Sequence, residues 1–326
     1  MDKPLRKQRP VAVITGASSG LGRATALEFA RRGISVVLAA RRKEALNKVA
    51  FGCKRSGVEV LVIVTDVTDE VAVGNLAQAA YRRFGRLDIW VNNAMVGMYG
   101  DFERVPSEDF RKVIETSFFG YVNGARAALP YFRRQGQGIL VNVASVLGTV
   151  GIPHMSSYVA AKHAIVGFSD ALRQELRGTG IRVCTVLPSS MDTPFYANAG
   201  NHTGHEIRPV PPVFNPASVA IAIVKAVERN RDYVFVPAVA AAMPVARAMW
   251  PGLTSRIARF IIDHLQIGSE RAFHTSGNLY SPKSLIEKTE HKSKQGRRKR
   301  SWPVLTILAV SSAIALRELG NARKAA

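Results

Sequence analysis

Val11-Ala12-Val13-Ile14-Thr15-Gly16-Ala17-Ser18-Ser19-Gly20-Leu21-Gly22 is the stretch on which the reading of this chain turns. Val11–Thr15 is an apolar, β-branched run of strand length, and a helical pattern follows the glycines to about residue 32. Glycine at a strand-to-helix turn lets backbone approach a pyrophosphate and lets the helix pack tightly on the strand. The helix N-terminus offers free N–H groups and a partial positive charge to phosphates. Gly16, Ser18, Ser19, Gly20, Leu21 and Gly22 are therefore candidate nucleotide-binding positions. The spacing G-x-x-x-G-x-G is not that of a P-loop, because no Lys-Ser/Thr follows the last glycine.

Outward from this turn, apolar runs alternate with helical patterns. Strands are expected at 35–39, 58–65, 89–92, 139–142, 181–187 and 233–236. Helices are expected at 44–54, 69–84, 107–134, 157–176 and from Asn215-Pro216 to about 228. Strands this apolar are buried on both faces, which predicts a parallel sheet between two layers of helices. Right-handed crossovers make it an α/β, doubly wound, Rossmann-type sheet in three layers. After Leu187 the rhythm stops. Residues 188–212 are rich in Pro, Gly, Ser and Asn and read as a long loop of functional kind. Three parts are expected: a nucleotide-binding catalytic domain over 1–236, a helical and apolar C-terminal extension over 237–282, and a basic linker with a short apolar segment over 283–326.

The carboxyl ends of the strands carry the next signals. The second strand ends in Ala39-Ala40-Arg41-Arg42, where an acidic residue would grip a ribose 2′-hydroxyl. Arg41 and Arg42 suit a 2′-phosphate instead, so NADP is expected over NAD. Asp66 and Val67 follow the third strand, and Asn93 and Ala94 the fourth, on the same edge of the sheet. Asp66 suits an adenine amino group, and Asn92 is placed to tie neighbouring strands.

Tyr158 and Lys162 are four residues apart, on one face of a helix. An ammonium beside a phenol favours the phenolate and lowers the phenol's pKa from about 10. Tyr158 would then exchange a proton with a developing alkoxide. Ser145 follows a strand end in Asn142-Val143-Ala144-Ser145 and is placed to polarise a carbonyl. Each residue alone has an ordinary structural explanation. Their joint occurrence in an alternating chain points to hydride transfer between a nicotinamide and a carbonyl.

Taken together, Thr15–Gly22, Asn92–Ala94, Ser145, Tyr158–Lys162 and Pro188 resemble the short-chain dehydrogenase/reductase family over about 11–236. The resemblance implies a Rossmann-type oxidoreductase acting on an alcohol or ketone, often a homo-oligomer. It implies that Tyr158 is the acid/base, that Lys162 also bonds the nicotinamide ribose, and that Ser145 orients substrate. Thr193, in Met191-Asp192-Thr193-Pro194, matches the family threonine that meets the nicotinamide carboxamide. Three positions depart from the family pattern. Ser117 stands where an asparagine usually holds a relay water, Met95 follows Asn-Asn-Ala in place of glycine, and Ser189 follows Pro188 in place of glycine.

Composition bounds the rest. The chain has 326 residues, 47% of them hydrophobic, with a formal charge of +21. That charge favours anionic partners, although no nucleic-acid-reading motif accompanies it. Cys53 and Cys184 form neither a disulfide framework nor a metal spacing, and a reduced, cytoplasmic setting is expected. Met95, Val96, Met98, Leu147, His154 and the loop after Pro188 are expected to wall the substrate pocket. Their apolar character points to a bulky apolar alcohol or ketone. The basic run Gly296–Arg300 before the apolar run Trp302–Leu316 raises the expectation of membrane contact by the tail, although that run is short for a span. A nucleotide-binding regulator without turnover is the alternative to an enzyme.

Overall fold

The computed structural model of the chain describes residues 9–282, so the expectations for 283–326, including membrane contact by Trp302–Leu316, lie outside the described residues. Seven strands form the central sheet: β1 (Val11–Thr15), β2 (Ser35–Ala40), β3 (Val60–Val64), β4 (Ile89–Asn92), β5 (Gly138–Val143), β6 (Ile181–Pro188) and β7 (Tyr233–Val236). They run in the order β7-β6-β5-β4-β1-β2-β3, every neighbouring pair parallel. The order reverses between β1 and β4, and this switch point is where an open α/β sheet opens a crevice beyond its strand ends.

Alternation along each strand divides the core in two. Ile14, Val36, Leu38, Val91 and Val141 face one layer, where Phe29 of α1 (Gly20–Arg31), Leu46 of α2 (Lys43–Lys54) and Ile223 of α7 (Pro216–Glu228) are fully buried. Val13, Val37, Trp90 and Leu140 face the other, against Leu76 and Ala80 of α3 (Glu70–Phe84) and Phe132 of α5 (Gly120–Gln135). Each large apolar side chain so buried contributes about 1.5–3 kcal/mol. Asp69 caps α3 through Ala72 N, and Asn215 caps α7 through Ala217 N ahead of Pro216. Cys53 and Cys184 are buried and free, and burial pushes their thiols up to about 11 and about 12.

A buried amide chain crosses the sheet. Asn92 Nδ2 donates to Asn142 Oδ1 at 2.9 Å, and Asn142 Nδ2 donates to Ser169 Oγ at 2.9 Å on α6 (Ser156–Glu175). Trp90 Nε1 donates to Asn92 Oδ1 at 2.8 Å. Asn92 thus ties strands, as its position suggested.

Three features depart from the expected layout. The helical stretch at 107–134 is broken: α4 (Ser107–Ile114) passes through a π-helical turn, Glu115–Phe119, before α5 begins. Residues 188–212 are not irregular throughout. Phe195–Asn198 forms a helical turn, and Gly200–Asn201 pairs in parallel with Met98–Tyr99. The extension adds α8 (Ala242–Met249), α9 (Pro251–Ile261), a π-helical turn Ile262–Gln266 and a strand Ile267–Arg271 antiparallel to His205–Ile207. Among the described residues, no helix is long and apolar enough to cross a membrane.

Candidate active site

The glycine turn is built by close packing against β4. A Cβ on Gly22 would stand 2.3 Å from Gly16 O, and one on Gly16 would stand 2.8 Å from Ala94 Cα. Gly16 also adopts φ +66, which disfavours a side chain. Thr15 Oγ1 accepts from Asn93 N at 3.0 Å and Ala94 N at 3.1 Å, and Asn93 Nδ2 donates to Thr15 O at 2.9 Å. This lattice holds the start of α1 open toward a cavity of about 410 Å³ beyond the strand ends. Ser19, the residue before α1, makes no side-chain cap, so the first helical N–H groups keep their donor capacity. These features fit the pyrophosphate of a dinucleotide.

Every predicted cofactor position lines this cavity except Gly22, which is buried in the turn, and Lys162, which is fully buried beneath it. Arg42 Nη2 donates to Ser18 Oγ at 3.3 Å, bringing the guanidinium over the turn. Arg41 is partly committed elsewhere. Its guanidinium donates to Asn278 O at 2.7 Å and to Leu279 O and Tyr280 O, both at 3.3 Å, so it fastens the C-terminal strap to the edge of β2. Asp66 lines the cavity while its Oδ1 accepts from Thr68 N at 3.0 Å and Thr68 Oγ1 at 2.9 Å. Thr193 packs on Gly20, with 3.4 Å from its Cβ to an ideal Gly20 Cβ.

Tyr158 and Ser145 line the same cavity. Ser145 Oγ accepts from Leu147 N at 3.1 Å and approaches Pro188 O at 3.4 Å. Lys162 Nζ lies 5.6 Å from the Tyr158 ring centre and 5.4 Å from that of Tyr121. It donates to Val143 O at 2.8 Å, which also accepts from Tyr121 Oη at 2.9 Å. Burial pushes the Lys162 ammonium down to about 7. Burial raises the Tyr158 phenol, against a lowering by the Ser145 hydroxyl. This differs from the depressed phenol expected from sequence. An amine so desolvated is only partly charged near neutral pH, which weakens its hold on a phenolate.

Three expected residues lie elsewhere. Met98 does not line the cavity but packs with Val96, Val113 and Leu279. Ser117, in the π-helical turn, is fully buried; its Oγ accepts from Val96 N at 3.1 Å and donates to Val96 O at 2.8 Å. Both bonds are spent on backbone, and its neighbour Thr116 lines the cavity instead. His154 does not line the cavity. Its Nδ1 meets Asp101 Oδ1 at 2.8 Å and its Nε2 meets Asp263 Oδ1 at 3.3 Å, which draws the ring away to clamp the extension. Conversely, the extension supplies wall residues that sequence reasoning did not single out, among them Met243, Ile261, Ile262 and Gln266. Phe195 lies in the loop expected to wall the pocket, although it was not singled out. Its ring lies 5.6 Å from that of Tyr158 and 6.2 Å from that of Tyr99. An apolar lining of Met95, Leu147, Ile152, Met155 and Phe195 surrounds the Tyr158 phenol.

Comparison with known proteins agrees with this architecture. The family model for short chain dehydrogenase matches residues 10–203. The chain is similar to an uncharacterised oxidoreductase, YxnA, of Bacillus subtilis, at 36% identity over 270 residues, 81% of this chain and 75% of the relative. Among solved structures it is similar to a short chain dehydrogenase/reductase from Burkholderia phymatum in complex with NAD, with a TM-score of 0.68 and 28% identity over 76% of this chain and 96% of that one. It is also similar to an alcohol dehydrogenase from the archaeon Thermococcus sibiricus complexed with 5-hydroxy-NADP, with a TM-score of 0.62 and 28% identity over 70% of this chain and 95% of that one. With a glycine turn, a Tyr-x-x-x-Lys helix and a strand-end serine converging on one crevice, this chain belongs to the short-chain dehydrogenase/reductase family of oxidoreductases.

Proposed function

We propose that the chain is an NADPH-dependent reductase of a carbonyl on a bulky, apolar compound, running in reverse as a dehydrogenase of the secondary alcohol. The observation that carries this reading is the Tyr158–Ser145 pair on the wall of the cavity that the glycine turn also lines. The nicotinamide cofactor, when bound, supplies the hydride. Gly16 to Leu21 and the free N–H groups of α1 would hold its pyrophosphate, and Thr193 its carboxamide. Arg41 and Arg42 support a 2′-phosphate, since both stand at the end of β2 where the ribose of a dinucleotide reaches. Solved relatives include one with NAD and one with an NADP derivative, and the arginines are what supports NADP for this chain.

On the substrate side, Ser145 Oγ orients the carbonyl oxygen and Tyr158 Oη gives it a proton as the alkoxide develops. A phenol held protonated by burial is suited to that donor role. Lys162, anchored on Val143 O, lies under the Tyr158 ring and completes the proton-handling set with it. Ser117 serves this set by fixing Val96, on the cavity wall. The apolar lining excludes water and favours apolar substrates. No observation favours a nucleotide-binding regulator without turnover, because neither Met95 nor Ser117 displaces Tyr158, Ser145 or Lys162 from the site.

The test is cofactor oxidation by the purified full-length chain with aryl, alicyclic and small polar ketones, using NADPH and NADH in parallel. Turnover of apolar ketones with NADPH, lost at least a hundredfold in Tyr158→Phe, is the expected result. Reaction with small polar aldehydes alone, or full activity in Tyr158→Phe, would overturn the reading.

A further inference from the structure

The cavity wall contributed by the extension contains one unspent amide. Gln266 ends the π-helical turn Ile262–Gln266 and is only 4% exposed. Its Nε2 donates to Tyr99 Oη at 3.3 Å, and among the described residues its Oε1, itself buried, has no hydrogen-bond partner. Tyr99, also buried, lines the cavity beside it. The phenol accepts from Gln266 and keeps its own proton to donate. If the amide is turned over, Oε1 accepts from Tyr99 Oη and the NH₂ becomes the unspent end. Either arrangement leaves unmatched polar capacity on a residue of the cavity wall, beside the apolar lining of Met95, Leu147, Ile152, Met155 and Phe195. Leaving a buried amide end unmatched is destabilising, and a bound polar group would offset that.

Position and rigidity make this a recognition point. The Phe195 ring neighbours both Tyr158, at 5.6 Å, and Tyr99, at 6.2 Å, so the amide, bonded to Tyr99, is set apart from the reacting phenol within the same cavity. Gln266 O accepts from Arg208 N at 2.8 Å, and the same turn is clamped through Asp263 by His154 at 3.3 Å. The side chain is therefore presented by a braced element. The recognising groups are an amide and a phenol that burial keeps neutral. A carboxylate placed between them would be buried without a cation, which is costly. A hydroxyl both donates and accepts, and satisfies either orientation of the amide.

We infer that Gln266 and Tyr99 select substrates that carry, on an apolar body, a neutral hydroxyl set apart from the carbonyl that reacts at Tyr158. This rests on the carbonyl-reductase reading and deepens it by naming a second substrate group.

Three pairs of aryl ketones, with one, two and three rings, test it, each pair with and without a terminal hydroxyl. The full-length protein and the variants Gln266→Met and Tyr99→Phe are compared by kcat/KM, and the corresponding alcohols by calorimetric binding with oxidised cofactor. In the unmodified chain at least one pair should favour the hydroxylated member about tenfold, in line with one hydrogen bond. That ratio should fall toward one in both variants. A purely structural glutamine would change both members equally and leave the ratio intact, which would overturn the inference. So would a ratio near one for all three pairs in the unmodified chain. If no ketone turns over, the carbonyl-reductase reading fails, while the binding ratios still decide on Gln266.

Discussion

Replacing Lys162 with methionine is expected to stabilise the folded chain while disabling the site. Lys162 is fully buried, and its ammonium falls from 10.5 to about 7 through desolvation. That drop corresponds to about 5 kcal/mol of folding free energy when the unfolded amine is charged. The hydrogen bond to Val143 O at 2.8 Å returns about 1.5–3 kcal/mol of this. Val143 O keeps the Tyr121 hydroxyl when the amine is removed, so no carbonyl is orphaned. Methionine has nearly the same length and fills the same space. The net gain is about 2–3 kcal/mol at pH 6, or roughly 5 °C or more in melting temperature. The sign follows from proton counts. Between about 7 and 10.5 the unfolded chain holds a proton that the folded chain has released, so the stability of the unmodified protein rises with pH. The advantage of the variant is therefore complete below about 7 and shrinks above it. By about pH 9.5 it should be nearly gone. Thermal melts of both proteins at pH 6, 7.5 and 9.5, with the variant's activity measured alongside, provide the check. A variant that melts lower at pH 6, or a gap that does not change with pH, refutes the reasoning.

Other outcomes follow from the same geometry. Arg42→Leu removes a guanidinium from above Ser18 and should raise KM for NADPH by about tenfold or more, with KM for NADH little changed; equal changes for both cofactors would count against a 2′-phosphate contact. Gly22→Ala sets a Cβ at 2.3 Å from Gly16 O and should abolish cofactor binding by fluorescence titration and lower the melting temperature. With the Tyr158 phenol raised by burial, ketone reduction should show no fall from loss of the phenol proton up to about pH 9, so any change in that range follows the Lys162 amine, pushed down to about 7. Alcohol oxidation, which needs the phenolate, should climb through that range without levelling off, and a plateau near neutral pH would restore a depressed phenol.

The sheet was legible because each strand is a short apolar run, from Val11–Thr15 to Tyr233–Val236, although the edge strands at Val60–Val64 and Tyr233–Val236 are only partly buried. The glycine turn and the Tyr158, Lys162 and Ser145 set were legible because their chemistry depends on short spacings. What escaped depends on contacts between distant residues. Met98–Tyr99 finds its partner at Gly200–Asn201, and His154 finds Asp263 across 109 positions. Nothing in Ile262-Asp263-His264-Leu265-Gln266 marks its last residue as a cavity wall. The π-helical turn at Glu115–Phe119 has no signature in a sequence whose helical periodicity continues through it. The direction of the Tyr158 shift was missed because spacing reports proximity to Lys162 but not the burial of the phenol itself, which raises it.

The cavity is assembled from two stretches of chain, of which the family model covers one. The glycine turn, Ser145 and Tyr158 belong to the stretch 10–203 that matches the family, whereas Met243, Ile261, Ile262 and Gln266 lie past its end. Proteins could agree throughout the shared stretch and still accept different molecules. Exchanging 237–282 between such proteins, together with its anchors at Arg41 and His154, is then a direct way to move substrate preference while keeping the hydride machinery in place.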